Sequence, residues 1–281
     1  MGRRDIGTFL ISQLLYFLFF MAKSKHYYIR KSHRYLGLVL GIQFLLWTIG
    51  GLYFSWSNMD EVHGDFQKKP EPLIPAGLSL VSPAMALDNI HRTAGVDSVS
   101  SLQLIQILGK PYYQIRSVGA AGKDMSHEHS GHHRIFLVDA ATGQMRPALS
   151  RQEAVAVASM RFNGNPKVAS VEYLTATSGH HEYRESALPA YAITFEHPTA
   201  TTVYVATELG TVQKFRNNKW RIFDFLWMLH TMDYQSRDNI GNILLRAFSI
   251  FGLVTVLSGF MLYAVSARWL KRGKRRVVVR S

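Results

Sequence analysis

The chain has 281 residues, 47% of them hydrophobic, and a formal net charge of +13. That charge is unevenly placed: residues 57–241 hold 17 Lys+Arg against 18 Asp+Glu, whereas the rest of the chain holds 15 basic residues and a single acid, Asp5. Basicity confined to the flanks of apolar segments argues against a nucleic-acid surface, which would spread over a folded domain. With no cysteine, the chain cannot make disulfides, iron–sulfur clusters, thiolate zinc sites or a covalent c-type haem link.

Residues 1–34 are expected to form a basic cytoplasmic segment. Within it, residues 9–20 (FLISQLLYFLFF) are apolar but too short to span a bilayer. A cleaved secretory signal would leave Lys23, Lys25, Arg30, Lys31 and Arg34 outside, against the positive-inside rule. Two readings remain for this segment: an interfacial helix, or a true start at Met21.

Residues 35–56 are expected to cross the membrane. The apolar run from 36 to 54 covers about 28 Å at 1.5 Å per residue, close to the roughly 30 Å hydrocarbon core. Gly37 and Gly41 form a GxxxG pair that would admit another helix, and Gln43 and Thr48 are the strongly polar side chains in the run. Residues 57–79 form a linker opening on an acidic turn with Asp60, Glu61, His63 and Asp65. These acids are open to two readings, solvated turn residues or a cation site.

Residues 80–147 and 148–216 read as an internal repeat. Each opens with a helical pattern behind a serine, SPAMALDNIHRTAG from Ser82 and SRQEAVAVASMRF from Ser150. Each continues with a β-like run, SVSSLQLIQI from Ser98 and KVASVEYLTA from Lys167, then PYYQIRSV from Pro111 and PAYAITFE from Pro189. Each closes with a strand and tight turn, RIFLVDAATGQM from Arg134 and TTVYVATELGTV from Thr201. The expected fold class is therefore α+β: two helix-plus-three-strand repeats anchored by two transmembrane helices.

Residues 217–241 form an aromatic interfacial segment, and residues 242–266 the second span. Gly252, Thr255 and Gly259 give that span one small face, expected to pack on the first span or on a second copy of the chain. Arg246 either snorkels to the interface or meets a carboxylate or propionate. Residues 267–281 are a basic tail. Basic flanks before the first span and after the second put both termini in the cytoplasm and the central domain outside, which in a bacterium is the periplasm.

The closing element Val138-Asp139-Ala140-Ala141-Thr142-Gly143-Gln144-Met145 resembles the end of a PepSY domain. His33-Arg34-Tyr35-Leu36-Gly37 and Leu229-His230-Thr231 resemble elements of the PepSY-associated transmembrane family. The resemblance covers roughly residues 24–267. Larger members of that family include inner-membrane ferrisiderophore reductases carrying b-type haem between helix histidines, typically on four spans rather than two. The resemblance implies a role in iron acquisition through haem-mediated electron transfer, with electrons drawn from a redox partner or quinol.

Haem iron needs axial ligands on both faces. Topology leaves His63 and His230 as the near-membrane pair on the outer side, with Arg246 placed for a propionate. His26 and His33 share one segment at i, i+7 and cannot sandwich one iron within a chain. The alternatives are a turn-capping role for His63 and an interfacial hydrogen-bonding role for His230. A second cluster, His127, His129, His132 and His133 in MSHEHSGHH, has the ligand types of a zinc, copper or nickel site but no closed-site spacing. No nucleophile elbow, HExxH, P-loop or Rossmann pattern occurs. A non-enzymatic binding or regulatory module and a metal-binding protein therefore stand beside the electron-transfer reading.

Overall fold

The computed structural model describes residues 31, 33–118 and 133–266. These residues are α+β, with two four-stranded antiparallel sheets, and they divide into two compact units. The helix unit holds α1 (His33–Trp56) as far as Tyr53, Trp227–Tyr234, and the chain from Asp238 on, including α6 (Ile243–Ser266). The tandem unit holds Phe54–Leu226 and Gln235–Arg237.

The tandem unit begins with α2 (Met59–His63) and a one-turn 3-10 helix at Asp65–Gln67. Its first half is α3 (Pro83–Ala94), β1 (Val99–Ile107), β2 (Lys110–Val118), β3 (His133–Asp139) and β4 (Met145–Arg146), with strand order β1-β2-β3-β4. Its second half is α4 (Arg151–Arg161), β5 (Val168–Leu174), β6 (Ala190–Phe195), β7 (Thr202–Ala206) and β8 (Thr211–Arg216), in the order β5-β6-β7-β8. Helix α5 (Asn218–Thr231) follows. Three strands per repeat were expected, and the structure has four. The tight turn after the third strand returns the chain antiparallel, and the added strands escape notice because β4 is two residues long and TVQKFR in β8 lacks clean alternation.

The two halves repeat the same plan down to individual hydrogen bonds. Ser82 and Ser150 cap α3 and α4, and Ser150 forms a capping box with Glu153. The residue before each cap donates to the residue after the third strand, Val81 to Ala140 and Leu149 to Thr207. Those acceptors in turn donate to the residues Pro111 and Pro189 of the second strand and its approach. Gly143 and Gly210 close the turns at φ 76° and 71°, donating back to Asp139 and Ala206. A left-handed backbone at this point favours glycine, which explains the TG and LG dipeptides. In the first half, Asp139 Oδ1 also accepts from the Ala141 and Thr142 amides, which is what the aspartate of V-D-A-A-T-G contributes. Each first strand carries a register shift near its start, at Val99/Ser101 and Val168/Ser170.

Period-two alternation sorts the strand side chains between cores. Tyr113 and Ile115 of β2 and Val138 of β3 meet Ala86 and Ile90 of α3. On the opposite face, Ile107, Tyr112 and Leu137 join a larger cluster with Val157 and Phe162 from the α4 region and Ile193, Phe195, Val203, Val205 and Phe215 of the second sheet. This shared cluster makes the two halves one folded body. Gly210 packs directly on this cluster, where an added Cβ would collide with Ile107 Cδ1. The far face of the second sheet (Ala190, Ala192, Tyr204) is covered by Tyr183 from the 175–189 loop.

In the helix unit, α1 and α6 run antiparallel. His33 Nδ1 lies 3.3 Å from Ser258 Oγ, and Gly252 faces Phe44 so closely that a Cβ there would sit 3.1 Å from the ring. Gly37, Gly41 and Gly259 have nothing within 4 Å of an added Cβ. Of the small face on α6, Gly252 therefore serves packing within the chain. Two polar side chains of α1 are satisfied: Gln43 donates to the Leu229 carbonyl at 3.1 Å and Thr48 to the Phe44 carbonyl at 2.8 Å.

Candidate functional site

His63 ends α2, and Gly64, at φ 70°, caps the helix behind it with its amide on Asp60 and Glu61. The imidazole is exposed. The surrounding acids are largely committed: Asp65 pairs with Lys68 at 2.6 Å and Glu61 with Lys219. These pairs support the turn-residue reading of the acids over a cation site.

His230 belongs to the other unit, in the last turn of α5. Its ring lies nearly parallel to Trp227, 12° between planes at 6.3 Å, and 5.9 Å from Trp47. Two indoles thus fix the orientation of the imidazole. Arg246 is exposed on the first turn of α6. His127, His129 and His132 lie outside the described residues, and of His133 only the backbone, at the start of β3, is described. Among the described residues no group of three or more His, Asp or Glu side chains is placed to hold a metal ion.

The densest polar chemistry sits elsewhere, in the tandem unit, between the 175–189 loop, the first turns of α5 and residues 235–237. Asp224 is buried, its side chain 4% exposed, and accepts from Arg184 at 2.8 Å and from Arg237. Glu182 takes a two-pronged bond from Arg221, 2.7 Å from Nε and 3.0 Å from Nη2, and a 2.6 Å bond from the Tyr204 hydroxyl. Arg216 donates to the Glu182 carbonyl at 2.9 Å and lies 4.0 Å from the centre of the Trp220 ring. A cavity of about 300 Å³ opens over this network, with His180 and His181 on its wall. His181 Nδ1 accepts from the Tyr183 amide at 3.0 Å, which leaves the ring proton on Nε2 when the imidazole is neutral.

The electrostatics follow from the burial. Desolvation pulls the Glu182 carboxyl upward, but the Arg221 and Tyr204 bonds with the charges of Arg221 and Arg216 outweigh it and hold it below the usual range. Desolvation lowers the Arg216 guanidinium to about 10, and it remains charged at neutral pH. Burial, reinforced by the bond to Glu182, raises the Tyr204 phenol, and burial alone raises Tyr183 to about 12. Both carboxylates are engaged by guanidinium groups, so neither is poised as a general base. The arrangement fixes the 175–189 loop against α5 as a polar core.

A pH dependence follows. Tyrosines ionise near 10 in the unfolded chain and higher in the fold. The contribution of Tyr183 to stability is therefore fully present below pH 10 and is lost as pH rises from there through about 12. Urea midpoints should fall over that interval, and Tyr183→Phe should make the fall shallower. An unchanged slope in the variant would rule out Tyr183 as a contributor.

Sequence reasoning missed this network. Its two sides are some 40 residues apart, as with Arg184 and Asp224, so no local spacing announces it. The available signal was Arg221 and Asp224 at i, i+3 within an otherwise aromatic helix, WRIFDFLW. Compared with known family models, curated proteins and solved structures, the chain has no match.

Proposed function

We propose that the chain is a membrane-anchored envelope protein of the PepSY-associated kind, whose tandem unit acts as a non-enzymatic binding module. In this reading α1 and α6 cross a bacterial inner membrane, both termini are cytoplasmic and the tandem unit is periplasmic. The carrying observation is the exposure of two long apolar helices: only 17% of the α1 span and 6% of the α6 span are buried within the protein. Leu38, Ile42, Leu45 and Ile49 on α1 and Ile250, Leu253, Val254 and Leu257 on α6 are exposed, an apolar surface that water would not tolerate and lipid would cover. The antiparallel course of the two helices supports termini on one side, and the basic flanks support the cytoplasmic side. The paired Gly143 and Gly210 turns and the matched caps support the PepSY-like repeat. On this account the chain stays in the membrane pellet after alkaline carbonate washing and is released only by detergent. Release by carbonate alone would reject the anchor.

A second reading is haem-mediated electron transfer toward a periplasmic ferric substrate, with His230 as an axial ligand and Arg246 at a propionate. The observation favouring it is the held orientation of the His230 ring between Trp47 and Trp227, as an axial ligand requires. Haem would supply the one-electron chemistry, and the chain would hold it and tune its surroundings. Purified protein should then show a Soret band that His230→Ala abolishes and His33→Ala leaves in place. Protein without the band would reject this reading.

A further inference from the structure

A second cavity in the tandem unit, about 150 Å³, lies where β1, α4 and β8 meet. Its walls include Leu104 and Ile105 of β1, Val157 and Met160 of α4, and Val212 of β8. Two features give it chemistry. Arg161 stands on its wall with Nη1 buried and without a hydrogen-bond partner among the described residues. Among the described residues, the Nη2 of that guanidinium meets the linker carboxylate of Glu71 alone, at 3.4 Å, beyond the usual range for such a bond, and the Glu71 side chain is 88% exposed. The cavity is also flanked by the edge strands of both sheets, β1 and β8, whose outer backbone groups can pair with an added extended chain.

We propose that this groove captures the C-terminal residue of a polypeptide ending in an apolar side chain, with the terminal carboxylate on Arg161. The proposal deepens the binding-module reading and rests on it. A volume of about 150 Å³ suits one benzene-sized apolar group and no large ligand. The carboxylate displaces the loosely held Glu71 side chain and takes its place on Nη2, a charge-assisted bond to the guanidinium. The edge strands select an extended polypeptide over a small acid, because they offer hydrogen bonds only to a continuing backbone.

The test uses the full chain in detergent micelles and an N-terminally fluorescein-labelled peptide, Gly-Ser-Gly-Ser-Leu. The free acid should bind, and the C-terminal amide and the same peptide ending in Ser should each bind at least ten-fold more weakly. Arg161→Gln should erase the difference between acid and amide. Met160→Glu, at a half-exposed position that spares the core, should weaken the acid at least ten-fold by setting a like charge at the groove. Equal binding of acid and amide, with both lost in Met160→Glu, would overturn the carboxylate assignment yet leave the binding-module reading standing. Competition by N-acetyl-leucine at the peptide's own concentrations would overturn the polypeptide commitment. Failure of the free acid to bind would overturn the proposal as a whole, whatever carbonate washing shows of the anchor.

Discussion

Asp224→Asn should destabilise the tandem unit by about 3–5 kcal/mol, the range for removing one partner of a buried ion pair. The carboxylate is 4% exposed and holds two guanidinium groups, Arg184 at 10% exposure and Arg237 at 19%. An amide keeps the shape and removes the charge. Two largely buried cations would then face a neutral group, without the water that screens a surface pair. The same reasoning predicts partial recovery. Adding Arg184→Met to Asp224→Asn removes one of the two cations, so the double variant should be less destabilised than the sum of the single ones. Denaturant unfolding of the full chain, followed by tryptophan fluorescence, measures both quantities. A loss below about 1 kcal/mol for Asp224→Asn would show that the network behaves as a solvated surface pair.

Phe162→Ala should cost about 3–5 kcal/mol by a different route. Phe162 follows α4, is fully buried, and packs on Phe195 at 4.8 Å, Phe215 at 6.2 Å and His197 at 5.6 Å between ring centres. Its removal opens a cavity in the cluster that joins the two halves through Ile107, Tyr112 and Leu137. The halves should therefore lose stability together, in one transition. Phe66→Ala, at a residue 62% exposed, serves as the contrast and should stay within about 0.5 kcal/mol of the parent. Comparable losses for both variants would contradict the placement of the shared core.

Much of the fold could be read locally because its causes are local. Ser82 and Ser150 announce their helices by the chemistry of the cap, and Gly143 and Gly210 announce their turns by a backbone few other residues accept. The runs that became α1 and α6 are legible from length and apolarity alone. The fourth strands were missed because β4 is a two-residue pairing with β3 that exists only once the turn closes. The aromatic segment WRIFDFLWMLH became part of the 14-residue α5, its helical period hidden by apolar groups on several faces. The Glu182–Asp224 network and the Arg161 groove were beyond reach for a tertiary reason. Each depends on residues far apart in the chain, and a lone Arg161 or Asp224 looks like any surface charge until the sheets bring its surroundings together. Histidine, by contrast, drew attention because of its residue type. His63 and His230 were prominent in the sequence, yet the structure assigns them to separate units.

The proposal that the tandem unit is anchored and faces outward can be tested directly because the chain contains no cysteine, so one introduced thiol is the only one to react. Lys110→Cys places it at an exposed position where β2 begins, and Ser281→Cys places it at the end of the basic tail. Spheroplasts expressing each variant would be treated with a membrane-impermeant maleimide before and after lysis. The expected result is labelling of Lys110→Cys in intact spheroplasts and of Ser281→Cys only after lysis. Labelling of Ser281→Cys in intact spheroplasts, or protection of Lys110→Cys until they are broken, would contradict the account.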